Sequence, residues 1–176
     1  MSVPALLATL LLAAAAPDDD IASKIISVPV PSAYRVDGQQ GSPNIHSDPK
    51  VQGAKALRVS VPGKSAHDWD ISVNVPITKP VKAGDALVLA FWGRLEKGEN
   101  GATTSVIPYN AVQQAKEPYT AVFSGPVTLG PDWKMLTVKG KADKDYKAGD
   151  LNVSLHLATA KQVVDIGPVF VLNMGQ

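Results

Sequence analysis

Three short stretches of this chain carry side chains able to make specific contacts with a ligand. Trp92 and Arg94 stand two residues apart in Asp85–Arg94. Asp70, Ser72 and Asn74 alternate through Trp69–Ile77, and Asn152, Ser154 and His156 alternate after Gly149-Asp150. The residues between them are apolar: Leu87, Leu89 and Phe91 in the first stretch, Ile71, Val73 and Val75 in the second, Leu151, Val153 and Leu155 in the third. A period of two predicts a strand with one face in a core and the other turned outward. An indole stacks on an apolar ring face, while guanidinium, carboxylate, amide and imidazole groups supply donors and acceptors. Brought together on one sheet, the three outer rows make a polar platform with an aromatic ring. A pyranose requires that chemistry, having a C–H face to stack and hydroxyls to pair. Trp92 is then the stacking platform, with Arg94, Asp70, Asn74, Asn152 and His156 as hydrogen-bonding groups. Trp69 is in phase with Ile71 and Val73 and reads as core, Trp133 reads as packing at a strand edge, and Tyr109 and Tyr119 are candidates for a rim.

Signatures of enzymes are largely missing. The chain has no Gly-x-Ser-x-Gly, no His-Glu-x-x-His, no phosphate loop and no dinucleotide fingerprint. Glycoside hydrolysis needs two facing carboxyl groups, yet Glu96, Glu99 and Glu117 all fall in expected loops and the outer rows offer Asp70 alone. A polysaccharide lyase of jelly-roll type is a third reading, with Arg94, His156, Gln113 and Tyr109 as its groups. His46, His67 and His156 are too scattered to suggest a metal site, and no cysteine is present for disulfides, thiol chemistry or zinc.

The elements that position these rows are strands. Fourteen prolines and fourteen glycines in 176 residues predict many turns, and apart from the first residues no stretch sustains helical periodicity. Eight to ten strands with turns at the spacing of a sandwich or jelly roll predict an all-β, two-sheet antiparallel β-sandwich. Strands are expected in Ile21–Val36, Ala54–Val61, Trp69–Ile77, Asp85–Arg94, Ala102–Ile107, Tyr119–Phe123, Val127–Leu129, Trp133–Lys139, Leu151–Leu157 and Val163–Leu172. The last is interrupted at Gly167-Pro168, Asp37–Val51 reads as a loop, and Pro108–Pro118 reads either as a bulged strand or as a loop. Lys82-Ala83-Gly84-Asp85 recurs letter for letter as Lys147-Ala148-Gly149-Asp150, each before a strand. Ala5–Ala16 is a leucine- and alanine-rich run too short to span a bilayer and ending in small residues, which predicts a signal peptide over residues 1–16 and a secreted or periplasmic protein. Residues 17–53 then supply the first strands and a loop, and 54–176 the main body, of one sandwich. A formal charge of +1 gives no footprint for nucleic acid, and no membrane span is expected.

In order along the chain, Ala56-Leu57-Arg58-Val59, Trp69-Asp70-Ile71-Ser72-Val73, Lys82-Ala83-Gly84-Asp85 leading into Phe91-Trp92-Gly93-Arg94, Asp132-Trp133-Lys134, Asp145–Asp150 and the closing strand Val164–Leu172 resemble the cellulose- and xylan-binding modules of families 4, 9 and 22. Those modules are jelly rolls of the galactose-binding-like kind. The resemblance runs from about Ala54 to Gly175. It implies a non-catalytic module that binds a plant- or microbial-type polysaccharide or oligosaccharide in a concave sheet face, with Trp92 and Arg94 central, and that serves a glycoside hydrolase, here in trans. No cofactor is expected. The structural calcium common in such folds is not supported, because the closing strand reads Ile166-Gly167-Pro168 where many members carry Ile-Asp-Asp or Ile-Asp-Asn. The alternative from a different class is an envelope or extracellular interaction module that no longer binds sugar; it would show a flat polar face and no groove.

Overall fold

The computed structural model describes residues 17–39 and 44–176, so the expected leader over 1–16 lies outside the described residues. After a short helix α1 (Pro17–Lys24) come ten strands: β1 (Arg35–Asp37), β2 (Asn44–Ser47), β3 (Lys55–Val61), β4 (Ser72–Pro76), β5 (Ala86–Lys97), β6 (Ser105–Gln114), β7 (Ala121–Leu129), β8 (Lys134–Lys141), β9 (Leu151–His156) and β10 (Gln162–Asn173). They form two antiparallel five-stranded sheets, ordered β1-β4-β9-β6-β7 and β2-β3-β10-β5-β8. The architecture is the expected β-sandwich jelly roll. We call the first the β4–β9 sheet and the second the β5–β10 sheet.

The apolar rows read from the sequence meet between the sheets. Val73 and Val75 of β4, Val153 and Leu155 of β9, Leu87, Leu89 and Phe91 of β5 and Val164, Ile166 and Val169 of β10 are all buried there. Burying side chains of this size stabilises by about 1.5–3 kcal/mol each relative to leaving them in water, so their phase fixes the register of every strand that carries them. The twin turns before β5 and β9 work alike. The Asp85 carboxylate accepts the Lys82 N–H at 2.9 Å, and that of Asp150 accepts the Lys147 N–H at 2.8 Å.

β10 and β5 are the two longest strands, at 12 residues each, and the break in β10 is a bulge between Ile166 and Val169 against β5. Pro168 cannot donate to a ladder. The buried Tyr34 hydroxyl takes over there, accepting the Val169 N–H at 2.8 Å and donating to the Gly167 carbonyl at 3.3 Å. Burial raises the Tyr34 phenol well above its usual range, so it stays a donor.

Four readings change. Residues from Pro17 begin as a helix rather than a strand, with the Lys24 ammonium 2.7 Å from the Asp20 carboxylate one turn away. The segment read as a loop contains β2, which pairs with β3 through His46 opposite Ala56. Pro108–Pro118 resolves as a bulged strand only as far as Gln114, with register shifts after Ile107 and Val112. The two pieces Tyr119–Phe123 and Val127–Leu129 belong to one strand, β7.

Candidate functional site

Pairing in the β4–β9 sheet aligns the outer rows across four strands. Ser72 lies opposite His156, Asn74 opposite Ser154 and Pro76 opposite Asn152. On the far side of β9, Asn152 faces Gln113 and Ser154 faces Ala111, which by alternation places Tyr109 on the same side. On the far side of β4, Arg35 faces Asn74 and Asp37 faces Ser72. These side chains are linked. Arg35 donates to Asp37 at 3.0 Å, and the Asn74 amide donates to Asp37 and to Ser72 Oγ, both at 3.1 Å. The Asn152 amide donates to Asn74 Oδ1 at 3.0 Å, and the Tyr109 hydroxyl donates to Gln113 Oε1 at 3.0 Å. Ser72, Asn74, Gln113 and Ser154 are buried although they point away from the core, so they form a recessed floor beneath longer neighbours.

Aromatic rings stand at one end of this floor. A single 3-10 turn, Asp68–Asp70, lifts Trp69 to 58% exposure. His67 stacks on the indole with ring centres 4.6 Å apart and planes 16° from parallel, and His156 meets its edge at 6.0 Å and 63°. Tyr109 stacks in turn on His156 at 4.2 Å and 24°. The turn is held by Asp70, whose carboxylate accepts the His67 N–H at 3.1 Å, and by the Ala158 N–H on the Asp68 carbonyl at 3.0 Å. Gly38 passes beneath it so closely that a Cβ there would lie 1.7 Å from the Asp70 carbonyl oxygen. Burial lowers the His156 pKa, opposed by the Asp68 carboxylate, and burial raises that of Tyr109. The Tyr109 and His156 rings are therefore neutral at neutral pH.

Two predicted residues are elsewhere. Trp92 and Arg94 belong to β5, and so to the outer face of the opposite sheet, where they do not join Asn74, Asn152 and His156. Both are occupied. The Trp92 indole N–H donates to Gln52 Oε1 at 3.1 Å, and the strand passes so close to Gly167 that a Cβ there would fall 2.9 Å from that of Trp92. Arg94 donates from Nε to Asp165 at 2.9 Å, reaches Asp165 and Glu96 from Nη2 at 2.8 Å each, and lies 5.1 Å from the Trp133 ring centre. Arg58 grips the same Asp165 carboxylate from Nε and Nη2, each at 2.8 Å. Asp165 is 0% exposed; burial opposes its charge, and hydrogen bonds from Arg58 and Arg94 outweigh that, holding its carboxyl below the usual range. Trp133 is structural, as read, donating to Asp48 at 3.0 Å.

The single platform expected from the sequence is thus two faces on two sheets. Asn74, Asn152 and His156 come together, and Asp70 stands beside them with its carboxylate committed to His67. Trp69 is exposed rather than core, because strand alternation begins only at Ile71 and the 3-10 turn rotates the indole out of phase. The signal that could have found it is His67-Asp68-Trp69-Asp70, with an acid three residues after the capping residue His67 to close the turn. The lyase quartet is broken as well. Tyr109, Gln113 and His156 converge, but Arg94, the cation needed to neutralise a uronate, is on the other sheet. Among the described residues no three acidic or histidine side chains are arranged to hold a metal ion.

No protein-family model and no curated protein sequence matches the chain. Solved structures do. The second N-terminal cellulose-binding domain of Cellulomonas fimi β-1,4-glucanase C matches with a TM-score of 0.60 at 18% identity, covering 88% of this chain and 97% of that one. The family 22 carbohydrate-binding and GH10 modules of Clostridium thermocellum xylanase 10B, complexed with xylohexaose, match at 0.57 and 13% identity over 86% of this chain and 28% of that one. The family 22 xylan-binding domain of Paenibacillus barcinonensis Xyn10C matches at 0.51 and 10% identity over 87% and 93%. The fold of this chain is that of the carbohydrate-binding modules of families 4 and 22.

Proposed function

We propose that the chain is a non-catalytic module that binds a polysaccharide or oligosaccharide on the outer face of the β4–β9 sheet. The observation that carries this reading is the exposed Trp69 indole beside a recessed floor of Ser72, Asn74, Gln113 and Ser154, to which Asn152 is hydrogen-bonded. The free area of the indole offers a stacking surface to a sugar C–H face, and the Tyr109 and His156 rings extend it. The floor and its rim supply amide and hydroxyl groups for sugar hydroxyls. Ion pairs are closed within the face, since Arg35 is matched by Asp37, so an uncharged ligand suits it better than an acidic one. Fold neighbours named as cellulose- or xylan-binding, one of them joined to a GH10 module, support a glycoside hydrolase as a partner.

Chemical-shift mapping with cellohexaose and xylohexaose tests the assignment. The amides of β4, β6 and β9 and the Trp69 indole should move on titration, while the Trp92 and Trp133 indoles stay in place. Shifts confined to Trp92 and its neighbours would move the site to the other sheet. Absence of any shift with these or other glycans would leave the fold without this function and favour the interaction module.

A further inference from the structure

Resting on the glycan reading of the Trp69 face, we propose that proton uptake at His156 weakens saccharide binding there, so that the site is gated by mild acid. His156 is the joint of the ring assembly: it stacks on Tyr109 at 4.2 Å and meets the edge of Trp69 at 6.0 Å. That seat offers one stacked ring and one edge contact, which suit a neutral imidazole. An imidazolium gains some attraction from a ring face, but it also requires water or a carboxylate. Burial is the dominant influence on this group and favours the neutral form.

Four elements surround it, and two of them carry charge. The 3-10 turn contributes Asp68, the carboxylate that acts on His156 directly, and the His67–Asp70 pair at 3.4 Å. β4 places uncharged Ser72 opposite, and β1, one strand further, brings the matched Arg35–Asp37 pair. β6 contributes Tyr109 and Gln113, both uncharged. Once protonated, His156 is drawn toward Asp68 and solvent. That movement opens the Tyr109 stack and removes the edge contact that fixes the Trp69 indole, so the binding-competent arrangement becomes a minor population and apparent affinity falls with its fraction.

The experiment is calorimetric titration of cellohexaose and xylohexaose into the protein between about pH 5 and about pH 8, across the range where histidines titrate. The His156 ring proton is followed by NMR with and without sugar. Both probes are uncharged, so any slope belongs to the protein. The dissociation constant should be flat at the alkaline end and rise by up to about tenfold per pH unit below the His156 titration. By reciprocity, saturating sugar should move that titration to lower pH. His46→Asn, on the opposite sheet, should keep the slope. A constant affinity through the His156 titration, an unmoved titration in the complex, or a slope that survives His156→Gln would overturn the gating and leave glycan binding standing. No binding of any glycan at any pH would overturn the functional reading itself, and the gate with it.

Discussion

Asp165→Asn tests the ion cluster on the β5–β10 sheet. In the folded protein the carboxylate takes four short contacts: Arg58 Nε on Oδ1, with Arg58 Nη2, Arg94 Nε and Arg94 Nη2 on Oδ2, all between 2.8 and 2.9 Å. An asparagine of the same shape can keep its oxygen toward only one side. Its amide NH2 then faces a guanidinium N–H, donor against donor, and the negative charge is gone. Glu96 remains on both arginines, at 2.8 and 3.4 Å, and Asp48 reaches Arg94 at 3.5 Å, so the cations are not fully orphaned. Breaking a buried pair costs about 3–5 kcal/mol, and this partial compensation points to the lower end, near 3. Against a typical total of roughly 5–15 kcal/mol that is a large share, equivalent to a melting point lowered by roughly 6–12 °C at 2–4 °C per kcal/mol. Urea denaturation of both proteins at pH 7, with equal slopes, measures it directly. A difference below about 1 kcal/mol, the range of exposed pairs, would show that the cluster is not the buried clamp described.

The same cluster, the β10 bulge and the 3-10 turn each give a further expected outcome. Asp165 and Asp48 are both held below the usual carboxylate range. Their contribution is therefore complete above the ordinary value of 3.8 and is lost as pH falls through the lowered folded values; a melting-temperature profile should drop there, less steeply in Asp165→Asn. Tyr34→Phe leaves the Val169 N–H and the Gly167 carbonyl without partners in a buried bulge and should cost about 1–3 kcal/mol in the same urea assay; an unchanged midpoint would mean the bulge holds itself. Gly38→Ala forces a Cβ against the Asp70 carbonyl at a φ of 79°, so the 3-10 turn must shift. Its melting point should fall and the Trp69 indole resonance should move, and an unchanged spectrum would refute the wedge.

Much of the fold was legible because the inner rows are nearly unbroken. Leu87-Leu89-Phe91 and Val153-Leu155 could occupy only one phase, and the phase fixed the faces. Asn74, Asn152 and His156 were legible for the same reason, being the outward partners of those rows. Period two says which face of a strand a residue occupies, but not which sheet the strand joins. β5 looked like the companion of β4 and β9, yet long-range pairing put it beside β10, whose Asp165 claims Arg94. Trp69 was lost to a turn one residue before its strand, where a local capping arrangement overrides alternation. Tyr109 could not be phased because it lies inside the register shift of β6 between Ile107 and Asn110. The glycan site proposed above lies on the face with an exposed ring and a recessed floor, away from Trp92 and Arg94.

The most direct test of that assignment is affinity electrophoresis of Trp69→Ala and Trp92→Ala in gels containing soluble cellulose derivative, β-glucan or xylan, with folding checked by circular dichroism. Trp69→Ala should stay folded, since the indole is largely exposed, and should lose roughly 1–2 kcal/mol of binding, about five- to thirtyfold in affinity. Trp92→Ala should be retarded like the natural protein while melting at lower temperature. Retention of binding by Trp69→Ala together with its loss in a folded Trp92→Ala would contradict the account and return the site to the opposite sheet.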